Sequence, residues 1–148
     1  MAPVAIGDFS PVKNKDNSWD ASISIRSNSL ASPIEKSFAK YLRETLTVEL
    51  RAAGLLDPSS GIVISGTLLD NQLETPIGQA KGSITAQFVV TRGGKTLYDK
   101  VLTSSATWES SFVGAVAIPT SANQYSALHR KLVGILLDDS EFKKVMTR

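Results

Sequence analysis

The sequence contains no cysteine, which removes disulfides, thiolate nucleophiles and thiolate zinc sites together. It has a single histidine, His129, so no His-rich metal site can form, and no HExxH pattern occurs. No stretch approaches the roughly 20 apolar residues that span a bilayer, and no signal peptide opens the sequence. Met1-Ala2-Pro3 instead runs almost directly into Val4-Ala5-Ile6. So abrupt a beginning is expected of a chain trimmed to its folded part, from which an export signal has been removed. An endogenous protein with an unprocessed Met1, seen by mass spectrometry, would refute that expectation. Excess charge of one sign is also missing, the net charge being only +2. Lys36, Lys40, Arg43 and Arg51 are interleaved with Glu35, Glu44 and Glu49, a solvated mixed-charge face rather than the basic stripe of a nucleic-acid binder.

What is present is ordinary for a globular chain: 148 residues, 42% hydrophobic and 20% charged, enough to bury a core without metal or disulfide. Val4 to Phe9 reads as a first strand. Trp19, Ala21, Ile23 and Ile25 alternate with polar residues, the period of an edge strand or extended arm. Ser32-Pro33-Ile34-Glu35 combines an N-cap serine, a proline in the first turn and a glutamate that can reach back to the cap. The stripe Ile34, Phe38, Leu42, Leu46 and Leu50, widened by Tyr41, Val48 and Ala53, predicts a helix over residues 33–53, ended by Gly54. Ile62–Leu69, Gly82–Thr91 and Thr96–Glu109 read as strands, the last two joined by a Gly93-Gly94 hairpin turn. Phe112–Ile118 is expected to be a short strand or covering loop. A final helix is expected from Thr120 or Ser121, interrupted at Asp138-Asp139-Ser140. The order β-α-β-β-β-α predicts one α+β domain over residues 1–148. Its sheet is expected to be mixed but mainly antiparallel, with about four strands and both helices packed on one face. The first strand and the one after the long helix are expected to pair in parallel through a crossover.

Chemistry is sparse. No Gly-x-Ser-x-Gly elbow surrounds any serine, and Gly93-Gly94-Lys95 lacks the spacing, the following Ser/Thr and the helix of a phosphate loop. His129 adjoins an apolar helix stripe and reads as structural. Asp8, Asp70 and Asp99 fall near strands, where two carboxylates could converge; Asp138 and Asp139 read better as a helix end and cap. Neither a cofactor nor a metal is expected, nor an enzyme. Trp19, Trp108 and Phe112 form a candidate interaction surface, because aromatics are enriched at binding hot spots; for Trp108 core packing is the competing role. The serines and threonines at 83, 85, 103, 105 and 107 suit an exposed sheet surface.

The element order and apolar positions resemble a family: small bacterial envelope lipoproteins of the YajG type and, more distantly, auxiliary lipoproteins of ABC-type lipid transporters. The likeness rests on Val4–Phe9, the Ile34–Gly54 helix and Gly66-Thr67-Leu68. It continues through the Arg92–Lys95 hairpin and the run from Asn123-Gln124-Tyr125 to Leu136-Leu137-Asp138-Asp139-Ser140-Glu141-Phe142. It implies a non-enzymatic domain on the periplasmic face of the envelope, anchored at the outer membrane by an N-terminal lipidated cysteine. This sequence contains no such cysteine, so the tether would lie in a removed segment. The expected partner is another protein or a second copy. The alternative is a small-molecule or lipid pocket between helix and sheet, lined by Phe38, Leu42, Phe88 and Leu102.

Overall fold

The computed structural model describes residues 2–12, 18–25, 28–32, 37–111 and 113–147. Ten elements follow in order. They are β1 (Ala5–Pro11), α1 (Ser18–Ala21), β2 (Ser22–Ile25), β3 (Asn28–Ala31) and α2 (Phe38–Ala52), then β4 (Ile62–Glu74), β5 (Gly78–Arg92), β6 (Lys95–Ser110), α3 (Gly114–Asp138) and α4 (Ser140–Met146). The main sheet runs β1-β4-β5-β6, while β2 and β3 form a separate two-stranded sheet. β1 pairs with β4 in parallel, as expected of a crossover through α2; the other main-sheet pairs are antiparallel. The α+β class and the mainly antiparallel four-stranded sheet are therefore as the patterning predicts. β2 carries the second half of the strand-like alternation read over Trp19–Ile25, while β3 and the one-turn helix before β2 are additions to the predicted order.

Strand alternation sorts the residues into a core face and an open face. Ile62, Ile64 and Leu68 of β4, Ile84, Ala86, Phe88 and Val90 of β5, and Tyr98, Leu102 and Trp108 of β6 are buried. Phe38, Leu42, Leu46 and Leu50 of α2, and Tyr125, Leu128, Leu132 and Leu136 of α3, close over them. Each such side chain taken from water stabilises the fold by roughly 1.5–3 kcal/mol. A register shift after Leu68 changes the phase of β4, so Asn71 pairs with Ile84 and reaches the Tyr125 hydroxyl at 2.9 Å. The bulge thereby supplies the hydrogen-bond partner that a fully buried tyrosine needs. At Gly66 the backbone passes so close to Phe9 that an added Cβ would lie 2.5 Å from the ring. Phe9 cannot retreat, because it packs edge-on against Phe88 at 6.1 Å. Gly66→Ala is accordingly expected to destabilise by about 1–3 kcal/mol, read as a lower urea midpoint; an unchanged midpoint would show that Phe9 has room to move.

Three boundaries differ from the sequence reading. α2 begins at Phe38, not Pro33, because its N-cap is Ser37, whose side chain accepts from Lys40 N. Ser32 instead donates to the Ser37 carbonyl at 2.7 Å; residues 33–36 lie outside the described residues. The end of α2 is as expected. Gly54 has φ +71°, Gly54 N bonds Arg51 O and Leu55 N bonds Leu50 O, the paired bonds of a glycine C-terminal cap. Val48, however, is 49% exposed and does not belong to the buried stripe. α3 begins at Gly114 and carries Pro119 inside it, replacing the expected strand or loop over 112–118. Ser121 is not a cap: it lies buried within α3 and accepts from Trp108 Nε1 at 3.1 Å. Finally, Trp19 sits in the helical turn α1 rather than in a strand.

The residue that sequence reasoning missed at the start of α2 is Asp20. Only 4% exposed, it accepts from Ala39 N at 2.8 Å and from the Ser37 hydroxyl. A carboxylate from nineteen residues away in sequence thus satisfies two donors at the helix N-terminus, where its charge also opposes the helix dipole. This ties the α1–β2 arm to the main body. Asp20→Ala is expected to cost about 2 kcal/mol by stranding both donors, and to raise amide exchange in β2 and β3 before the main sheet opens. Unchanged protection there would show that the arm is held by other contacts.

Candidate interaction surface

α2, α3 and α4 pack on one side of the main sheet. On the other side stand Val63, Ser65 and Thr67 of β4, Ser83, Thr85, Gln87 and Val89 of β5, and Val101, Thr103, Ser105 and Thr107 of β6, half-buried or exposed in alternation with the core residues. No element among the described residues covers them. The predicted exposure of Ser83, Thr85, Thr103, Ser105 and Thr107 is what the alternation delivers. Cross-strand pairs stiffen this face: Thr85 and Thr103 share a hydroxyl hydrogen bond at 2.9 Å, and Gln87 Nε2 donates to Asp99 at 2.7 Å. Val101 is 52% exposed. A rigid, β-branched, weakly charged surface of this kind can hold a partner by shape and hydrogen bonds with little ordering cost.

The far half of the face forms a saddle of about 480 Å³, lined by Gln72, Glu74, Lys81, Ser83, Ser105 and Thr107. Its middle row is Leu73, Gly82 and Ala106, paired across the three strands. Leu73 and Ala106 pack against the core, and Gly82 has no side chain, so the floor is bare backbone. Lys81 and Glu74 bridge one side at 3.3 Å. A second groove, about 400 Å³, runs between α2 and α3 past Tyr41, Glu44, Val48 and Arg130.

Of the aromatic surface read from the sequence, the described residues place only the side chain of Trp108. Trp108 is 9% exposed; its indole lies between the sheet and α3, where a Cβ on Gly82 would stand 3.2 Å from the ring. Core packing is its role, because alternation turns even-numbered residues of β6 inward and Ser121 satisfies its N–H. Phe112 and the side chain of Trp19 lie outside the described residues.

Nor, among the described residues, do the titratable groups assemble a reaction centre. His129 is fully buried among Phe38, Tyr41 and Tyr125, with ring centroids 5.9, 4.6 and 5.3 Å away. Its Nδ1 lies 3.3 Å from the Tyr125 carbonyl, and its Nε2 has no partner. Burial holds its pKa down at about 4, the nearby Tyr125 and Ser126 carbonyls opposing only in part. An imidazole so enclosed cannot reach a substrate. Asp70 and Asp99 pair through Thr85 and Val89 of β5, which separates them by about 13 Å along the strands and by two strand spacings across; they form no carboxylate pair. Asp139 is a cap, as expected. It accepts from Phe142 N, from the Tyr98 hydroxyl at 3.0 Å and from Lys100 at 2.8 Å. Lys100 holds its carboxyl below the usual range. Among the described residues no group of His, Asp and Glu could hold a metal ion, and no helix is long and apolar enough to cross a membrane.

No protein-family model matches the chain, and no curated protein matches it in sequence. Solved structures do match it in fold. A Xanthomonas campestris protein of the DUF330 family superposes with a TM-score of 0.60 at 10% identity, over 92% of this chain and 84% of that one. Rare lipoprotein B from Shewanella oneidensis gives 0.55 at 10% identity, over 95% of this chain and 96% of its own. A Caulobacter crescentus protein that carries a provisional lipoprotein name gives 0.53 at 12%, over 74% and 84%. What is shared is the fold. At such identities side chains at the surface are free to differ, and no site residue is transferred.

Proposed function

We propose that this chain is the folded domain of a bacterial envelope lipoprotein and that it acts without catalysis, holding another protein against the open face of its sheet. The observation that carries the reading is the asymmetry of the sheet: α2 and α3 cover one face, and a stiff Ser/Thr/Val surface faces solvent on the other. The fold shared with rare lipoprotein B supports an envelope setting, and the resemblance of the sequence to small envelope lipoproteins supports the same setting. The buried imidazole and the separated carboxylates support a non-enzymatic role. A ligand pocket between helix and sheet fits less well. Phe38, Leu42 and Phe88 are at most 1% exposed and Leu102 is 9% exposed, all within one packed cluster.

The setting is tested by producing the intact gene product in its native host with a radiolabelled fatty acid. Label on the protein, and its recovery with outer membranes, are expected. An unlabelled protein in the soluble cytoplasmic fraction would overturn the proposal.

A further inference from the structure

β6 is 16 residues long and among the described residues pairs only with β5, so its other side is an open edge, a template for another strand. α3 reaches that edge through the Lys131 side chain, at the Ser105 carbonyl. Its residues Lys131, Gly134, Ile135 and Asp138 recur at helical spacing and line a groove of about 690 Å³ with Asp139 and Ser140. We propose that two copies of this chain associate about a two-fold axis at this edge, joining their sheets into one and setting α3 against α3. The inference is independent of the envelope reading.

The strand layer is self-complementary. Lys131 Nζ reaches the Ser105 carbonyl, and in an antiparallel ladder a residue turns its N–H and C=O to the same side. Odd-numbered residues from Asp99 to Thr107 therefore present their backbone groups to the open edge. Antiparallel pairing of β6 with itself about Leu102 places Val101 opposite Thr103 and Asp99 opposite Ser105. β-branched residues face each other and no like charges meet, while Val101, 52% exposed in one copy, is covered. The Asp99 N–H of the second copy takes over the Ser105 carbonyl, which releases Lys131.

The helix layer is self-complementary about a nearby point. An antiparallel α3 pair centred on Gly134 and Ile135 sets Lys131 of each copy opposite Asp138 of the other. Asp138 is accessible to it, its side chain being 85% exposed and paired with Lys143 at 3.7 Å. Gly134 supplies space, since a Cβ there would meet nothing within 4 Å. Ser104 bonds the Leu128 carbonyl and Tyr98 bonds Asp139, so α3 runs antiparallel to β6 and the middle of that overlap falls near Val101 and Val133. The strand centre at Leu102 and the helix centre at Gly134 and Ile135 fall about 5 Å apart along the strand, an offset within the reach of the long Lys131 side chain, so one axis can serve both layers in an isologous arrangement. The spacing also agrees: with strands about 4.8 Å apart and α3 packed over both β6 and β5, the two α3 axes come to about 10 Å, a normal helix-packing distance.

The test is a mass measurement by light scattering over a dilution series from about 100 µM to about 1 µM, which spans a micromolar dissociation constant, on the wild type and two charge reversals. The wild type is expected at twice the 15.8 kDa chain mass at the top of the series. Asp138→Lys and Lys131→Glu are each expected to weaken association by about tenfold or more through like-charge contacts. Mixing the two variants is expected to restore the dimer, because each then meets an opposite charge twice. Unchanged circular dichroism melts establish that both variants fold. Because the chain has no cysteine, an oxidised mixture of Val101→Cys and Thr103→Cys reports the register: a disulfide is expected in the mixture and in neither variant alone. A monomeric wild type, a dimer indifferent to both reversals, or a disulfide in Val101→Cys alone would each overturn the proposal.

Discussion

Replacing Phe38 by alanine is expected to lower the unfolding free energy by about 3–5 kcal/mol, the range for a large aromatic removed from a packed core. Phe38 is the first residue of α2 and only 1% exposed. Its ring meets Tyr125 edge-on at 5.1 Å and lies 5.9 Å from His129, so it pins the start of one helix to the middle of the other. Truncation would open a void that no neighbour can fill, since Tyr125 is itself fixed by Asn71. Urea unfolding followed by circular dichroism measures the loss. A cost below about 1 kcal/mol would mean that the space between helix and sheet is slack, which is what a ligand pocket there would require.

Acid is expected to weaken the protein through His129. The imidazole titrates near 6.5 in an unfolded chain and near 4 when folded. Above pH 6.5 it is neutral in both states and contributes no pH dependence. As the pH falls from 6.5 to 4, the unfolded chain takes up a proton that the buried ring refuses, so stability declines; below pH 4 the decline from this group is complete. The gap of about 2.5 pH units corresponds to about 3 kcal/mol. Asp139, held low by Lys100, also loses stability as its carboxylate protonates, with the same sign, so the wild-type curve alone does not isolate the histidine. His129→Leu does, because it removes the titrating ring and the unpartnered Nε2 together. The difference between the two stability curves should be flat above pH 6.5 and change by about 3 kcal/mol between pH 6.5 and 4. Parallel curves throughout would show that the imidazole takes up its proton in the folded state without hindrance.

Much of the fold is legible in the residues because local physics decides it. The alternation in β5 and β6, the two positive-φ glycines of their turn, with φ of 57° and 81°, and the leucine stripe of α2 all act over a few residues. The failures arise where a distant partner decides. Ser32-Pro33-Ile34-Glu35 has the pattern of a helix start, yet the N-cap is Ser37, where Asp20 of α1 accepts from Ala39 N. Ser121 follows Pro119 and reads as a helix start, yet it lies inside α3, which begins at Gly114, and is the acceptor for Trp108. The candidate site was less legible. Aromatic residues attract notice in a sequence, but Trp108 sits at an even position of β6 and faces the core. The open face consists of serine, threonine and valine, and only the alternation distinguishes it. A cue to the β6 edge was present in Lys131 and Asp138, seven residues apart, but it has no meaning until the strand beneath is known.

Whether the proposed partner in the envelope meets the open sheet face or the helical layer is tested by photo-crosslinking amino acids placed at Thr67 and Val89, away from the β6 edge, and at Val48 on the helical side, in cells that produce the intact protein. Discrete heavier adducts are expected from Thr67 and Val89 and none from Val48. Adducts from Val48 alone would contradict the proposal.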